Sequence, residues 1–129
     1  MKLLSLLISI IMLHGCFPDF KSSPEDKLFL KEIKNGNVQL EWFFYSTVSS
    51  ETPDYITIQE EGRIDTICIA NNIADLNLNS KKIIIGFYGK PQKYMKSIKI
   101  PATVMNYEII IDTNYILKTP VPRKFYKKE

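Results

Sequence analysis

Val38, Leu40, Trp42 and Phe44 alternate with Gln39, Glu41, Phe43 and Tyr45, a two-residue period that is the strongest strand signal in the chain. Asn35-Gly36 just upstream marks a hairpin turn; with those two residues as the loop, Ile33 faces Val38 and Glu32 faces Gln39. Ser23-Pro24-Glu25-Asp26 carries helix-start chemistry, and Gly36 would suit a helix end, but the residues from Leu28 to Lys34 read better as the partner strand of this hairpin. A second hairpin runs from Tyr55 through Glu61-Gly62 to Ala70, pairing Glu60 with Arg63 and Ile56 with Ile67. Ala74, Leu76 and Leu78 alternate with Asp75, Asn77 and Asn79, and a turn at Ser80 leads into the apolar run Ile83 to Tyr88. Pro91 and Pro101 bracket a further segment, Lys93 to Ile100, and the last long strand spans Tyr107 to Leu117. Downstream of Gly36 no segment has the three-and-four apolar spacing of an ordinary helix. Seven or eight short strands predict an all-β fold, an antiparallel β-sandwich of immunoglobulin-like architecture, with a small barrel as the alternative. Trp42, Ile56, Ile67, Ile84 and Ile109 are its expected core.

The first residues follow a different pattern. Met1-Lys2 is positive, Leu3 to Leu13 is apolar apart from Ser5 and Ser9, and His14-Gly15-Cys16 follows. As a helix this run reaches about 16 Å, roughly half of the ~30 Å hydrocarbon core of a bilayer, so it reads as a secretory signal rather than a membrane span. Leu13-His14-Gly15-Cys16 resembles the lipobox of bacterial lipoproteins, with Leu three places before the cysteine and a small residue directly before it; His14 departs from the small or β-branched residue usual in its slot. The resemblance covers residues 1–16 alone. It implies cleavage before Cys16 and acylation of the new N-terminus, and more than one acyl chain makes attachment stable where a single chain binds only marginally. Phe17, where an Asp would retain a lipoprotein at the inner membrane of many Gram-negative bacteria, leans by the same analogy toward the outer membrane, facing periplasm or surface. The organisation expected is a signal peptide over 1–15, a lipid-anchored linker over 16–27, the sandwich over 28–118 and a basic tail over 119–129.

Length and composition agree with one globular domain: 129 residues, 45% hydrophobic and 24% charged. The single histidine, His14, would be discarded with the signal peptide, which excludes Ser-His-Asp and Cys-His catalysis and His-ligated zinc from the mature chain. Cys68 would then be the one free thiol, with no partner for a disulfide and no neighbouring base to activate it, so a buried inert thiol is expected. Asp75-x-Asn77-x-Asn79 opens like a calcium loop but has Ser80 where glycine is needed and Gly86 where the bidentate acid is needed. Glu108 and Asp112 stand about 13 Å apart along one strand, outside either geometry of glycoside hydrolysis. No cofactor or metal is implied, and the chain reads as a non-enzyme.

Binding is the chemistry that remains. Trp42-Phe43-Phe44-Tyr45 puts aromatic rings on both faces of one strand, and Phe43 and Tyr45, on the face away from Trp42, are candidates for stacking on a sugar or docking a partner if nothing covers them. Arg123, Lys124, Lys127 and Lys128 follow two prolines in a tail expected to lie outside the sandwich, where they would attract an anionic surface. Charge divides along the chain: residues 17–75 hold five basic and eleven acidic side chains, residues 76–129 eleven and three. Interleaved strands from the two halves would neutralise one another. The functional reading is a lipid-anchored envelope protein whose sandwich is a non-catalytic interaction or structural module. A carbohydrate- or anion-binding lipoprotein is the alternative, and a small lipoprotein inhibitor of lysozyme is similar in size and location. Partners are the membrane through the anchor and an envelope protein or glycan, with no nucleic acid. Replacing Cys16 by Ser is expected to block maturation and release the protein from the membrane fraction, which fractionation and N-terminal mass analysis would read; unchanged processing and partition would remove the anchor.

Overall fold

The computed structural model describes residues 27–46, 52–95, 99–117 and 123–128. The expected signal peptide, Cys16 and nearly all of the linker lie outside the described residues. Eight strands build two sheets: β1 (Lys27–Asn35), β2 (Val38–Tyr45), β3 (Asp54–Glu60) and β4 (Arg63–Ala70), then β5 (Ile73–Asn79), β6 (Lys82–Phe87), β7 (Thr103–Val104) and β8 (Tyr107–Asp112). The first sheet is an antiparallel meander in the order β1-β2-β3-β4; the second has the order β5-β6-β8-β7, antiparallel except where β6 and β8 run parallel. No helix occurs among the described residues. The all-β sandwich expected from the alternation is the fold. Its strand order is not the immunoglobulin one, in which strands from both halves of the chain share each sheet. Here the first sheet is complete before the chain crosses to the second at Asn71-Asn72.

Turn chemistry sets the registers. Gly36 has φ 60° and takes the first of two loop positions, where a II′ hairpin turn needs left-handed backbone. The loop is therefore Gly36-Asn37, one residue later than Asn35-Gly36, and Ile33 pairs with Leu40 and Glu32 with Glu41. Moving a loop by one residue moves the pairing by two, so every side chain keeps its face. Glu61 and Gly62, at φ 50° and 78°, form the expected turn and close Glu60 on Arg63. Beyond it a bulge inserts Ile67, so Ile56 pairs with Cys68 instead.

The core lies between the sheets, with Leu40, Trp42, Ile56, Ile58 and Ile67 packing against Leu76, Ile83, Ile85, Phe87 and Ile109. Ile84, expected in the core, is half-buried, because Ile83 and Ile85 occupy the inner face of β6. Two expected strands are shorter or missing. Among the described residues of Lys93–Ile100 only Lys93 bridges a neighbour, Ala70. β8 ends at Asp112, whose carboxylate accepts the Asn114 backbone N–H at 2.9 Å in an Asx turn.

That turn sends Tyr115 back over Gly86 on β6. A Cβ on Gly86 would lie 2.4 Å from the Tyr115 ring, and the ring is held there by its hydroxyl, which donates to Asp75 Oδ2 at 3.3 Å. Glycine weakens a strand interior, and here the tyrosine ring fills the space a side chain would take. Gly86→Ala is expected to cost about 1–3 kcal/mol by overpacking. The same substitution in a Tyr115→Ala background should cost much less, as denaturant unfolding of the four proteins would show; additive effects would remove this contact.

Candidate functional site

Because Leu40 and Trp42 turn into the core, Glu41, Phe43 and Tyr45 on β2 project from the outer face of the first sheet. β1 adds Lys27 and Phe29 to that face, and β3 adds Tyr55, Thr57 and Gln59. Phe43 and Tyr55 stack with ring centroids 5.5 Å apart and planes 5° from parallel, and Tyr45 stands edge-on to both at 5.7 and 5.5 Å. Lys27 Nζ sits 3.8 Å from the Phe43 centroid and 3.1 Å from Glu41 Oε2. This lattice of rings and one ammonium leaves Phe43 only 4% exposed on an outer face, with Tyr45 half-buried. Beside it lies a hollow of about 310 Å³, floored by Phe43, Tyr45 and Tyr55 and rimmed by Glu41, Gln59 and Thr66. Its size falls at the lower end of the ~300–1,000 Å³ range of small-molecule sites.

The C-terminal segment meets the same face. Expected outside the sandwich, residues 123–128 instead lie along the edge of β1. Phe29 N–H donates to the Tyr126 carbonyl at 2.8 Å and Tyr126 N–H to the Phe29 carbonyl at 2.9 Å, the reciprocal pair of an antiparallel ladder. Alternation then divides the side chains. Arg123 and Phe125 turn to Phe44, the guanidinium 4.5 Å from its centroid and the Phe125 ring edge-on at 5.6 Å. Tyr126 stacks on Phe29 at 5.7 Å, and Lys128 reaches Glu32 at 3.0 Å and also Glu41. Arg123 Nη1 lies 2.8 Å from both oxygens of Asp54, a carboxylate 2% exposed that also accepts the Trp42 indole N–H at 2.8 Å. The tail docks because an open strand edge and three acids of the first sheet stand where its alternation can reach them.

Of the six binding candidates in the sequence, Phe43, Tyr45 and Lys128 meet at this face, Arg123 is committed to Asp54, and Lys124 and Lys127 are exposed apart from it. Sequence reasoning missed Glu41, Tyr55 and Asp54. Tyr55 was within reach, since it occupies the face of β3 opposite Ile56 and Ile58; Asp54 left no signal, because its partner is distant in the chain. Cys68 is buried as expected, and burial, with the Asp54 charge adding, pushes its thiol up to about 12. Among the described residues no group of histidine, cysteine and acid side chains is arranged to hold a metal. The chain matches no protein-family model, no curated protein and no solved structure.

Burial by itself would raise the Glu41 and Glu32 carboxyls, but the Lys128 ammonium, with Lys27 at Glu41 and Lys34 at Glu32, holds both below the ordinary carboxylate value. Burial would lower Lys128, yet the same two carboxylates raise it. Lowered acids stabilise the fold above their unfolded values and lose that contribution as pH falls through the folded ones; a raised lysine contributes below its unfolded value and loses it at high pH. The clamp is therefore strongest at neutral pH and weakens on acidification below roughly pH 5. Arg123→Ala, which leaves the Asp54 charge with weakened partners, is expected to cost about 1–3 kcal/mol. Lys128→Ala should cost under about 1 kcal/mol, as half-exposed ion pairs do. Urea unfolding followed by the fluorescence of Trp42, the single tryptophan, would rank the two, and equal losses would contradict the assignment.

Proposed function

We propose that this chain is a lipid-anchored protein of the bacterial cell envelope, attached through Cys16, whose sandwich is a non-catalytic interaction module presenting the outer face of its first sheet. Leu13-His14-Gly15-Cys16 behind a short apolar run supports the anchor. The hollow over Phe43, Tyr45 and Tyr55 carries the module reading, because it is concave and aromatic-floored and its rim has donors and acceptors whose charges are already balanced. A partner would meet apolar rings for area and Glu41, Thr66 and Gln59 for direction, with no isolated charge to desolvate.

The same hollow favours one second reading, a saccharide ring. Its dimensions suit a small ligand, and half-buried tyrosine rings beside amide, hydroxyl and carboxylate groups offer a C–H face and hydroxyls what each requires. A photo-crosslinking side chain at Thr66, on the rim, and a control at Ser80, on the other sheet, separate these outcomes in intact envelopes. A discrete protein adduct from position 66 and not from position 80 is the expected result. Chemical-shift changes confined to Tyr45, Tyr55 and Thr57 on titration with cell-wall or lipopolysaccharide oligosaccharides would favour the sugar. The absence of both adduct and shift would overturn the assignment of this face.

A further inference from the structure

The two ends of the sandwich differ in composition. Lys27 pairs with Tyr45, Asp54 with Ala70, Ile73 with Phe87 and Gly86 with Asp112, so all these strand ends gather at one end, where the described chain begins. Two loops cover it. Residues 88–95 fold onto Asn72, whose amide donates to the Tyr88 and Lys90 carbonyls at 2.9 and 2.7 Å and whose Oδ1 accepts the Gln92 N–H at 2.7 Å. Residues 113–117 follow the Asp112 turn. These loops present Tyr88, Tyr94, Met95, Ile116 and Leu117, exposed by 38, 59, 52, 76 and 60%. Lys90 is exposed among them, and Lys124 borders the same end beside Leu117 and Tyr88. Of the described acids at this end, Asp54 lies under Arg123, Asp75 is held by Lys31 at 3.0 Å, and Asp112, half-buried, accepts the Asn114 N–H of its own turn. The opposite end is made of tight turns carrying Glu60, Glu61, Lys81 and Lys82, and there Ile64 alone of the described large apolar side chains is exposed.

Apolar and aromatic tips flanked by the exposed Lys90 and Lys124, with Asp54 and Asp75 ion-paired, match the surface of an anionic bilayer: the tips enter the headgroup layer while the ammonium groups stay with the phosphates. The chain also reaches the sandwich at this end, eleven residues after Cys16. We infer that the entry end of the sandwich is a membrane-docking rim, in which Tyr94, Met95, Ile116 and Leu117 insert into an anionic bilayer and Lys90 and Lys124 contact its phosphates. The rim acts without the acyl chains, so its test is separate from that of the anchor.

Residues 17–129 contain every strand of both sheets and lack Cys16, and they would be sedimented with phosphatidylcholine vesicles and with vesicles containing phosphatidylglycerol, at low and physiological salt. Binding to the anionic vesicles, weakened by salt, is expected. A cation near an anionic surface is worth about fivefold in partition, so Lys90→Glu with Lys124→Glu should weaken binding by about twentyfold or more. Met95→Ser, Ile116→Ser and Leu117→Ser together should abolish it at either salt. Lys81→Glu with Lys82→Glu makes the same change of net charge at the far end and should leave binding within about twofold, because the field decays over ~8–10 Å. Circular dichroism would show that each variant is folded. Absence of binding by the unaltered chain, insensitivity to the rim substitutions, or an equal loss from the far-end pair would each overturn the rim.

Discussion

A carboxylate almost out of water must be matched by donors, and Asp54 is matched by parts of the chain that are otherwise unconnected. The Trp42 indole ties it to β2, and Arg123 ties it to the C-terminal segment. An unpaired charge so placed would cost several kcal/mol, so the guanidinium has a strong reason to be there. Once Arg123 is fixed, strand alternation carries Phe125 to Phe44, Tyr126 to Phe29 and Lys128 to Glu41. The segment thereby covers the open edge of β1, which would otherwise present unpaired backbone groups to other chains. The aromatic lattice on the outer face depends on this placement too, because Tyr126 and Lys128 close its flank over Phe29.

The meander accounts for the distribution of charge. With β1 to β4 consecutive, residues 27–70 form one sheet, holding seven acidic and four basic side chains, and residues 73–112 form the other, with three and six. Interleaving would have mixed these halves, and the observed strand order keeps them apart. Neutralisation comes instead from the last residues, which return to the acidic sheet and place Arg123 and Lys128 on Asp54, Glu32 and Glu41. Arg123 and Lys128 thus serve the first sheet, while Lys90 and Lys99 of the second half are exposed.

Strand existence was legible beside the glycine turns, as in β2, β3 and β4, and in the alternation of β5 before the Ser80 turn. The registers were less so. Asn35-Gly36 and Gly36-Asn37 are both acceptable loops, and only the backbone angle of Gly36 separates them; the bulge at Ile67 is set by packing across the sheets, which no local pattern records. Ile83-Ile84-Ile85 has no polar position to mark its inner face, and so the choice of Ile84 as core failed. The parallel pairing of β6 with β8 and the docking of residues 123–128 were invisible for a different reason, since they join positions 26 and 97 residues apart, Lys82 to Glu108 and Phe29 to Tyr126. Phe43 illustrates the limit: its alternation put it on the outer face, but its burial comes from Lys27 and Tyr55, and only the fold brings them together.

The hollow and the rim lie at right angles on the same domain, and this bears on how the two proposals fit together. The rim is made of strand ends, whereas the hollow opens from the face of a sheet. With the rim seated, the strands stand upright on the membrane and the hollow faces sideways. Tyr45 and Tyr55 lie at the membrane-proximal ends of their strands and Gln59 four residues further out on β3, so the hollow rises over about 13 Å at ~3.3 Å per residue. Lys27 lies eleven residues after Cys16, a stretch that could span at most roughly 40 Å if fully extended, a length within which an anchored domain would still have to be oriented. The acyl chains would fix residence at the membrane without fixing orientation, and orientation would come from the rim. A face held sideways within that reach is best placed for a partner in the same membrane plane, whose approach along the surface is not obstructed by the Glu61-Gly62 tip of the hairpin above it.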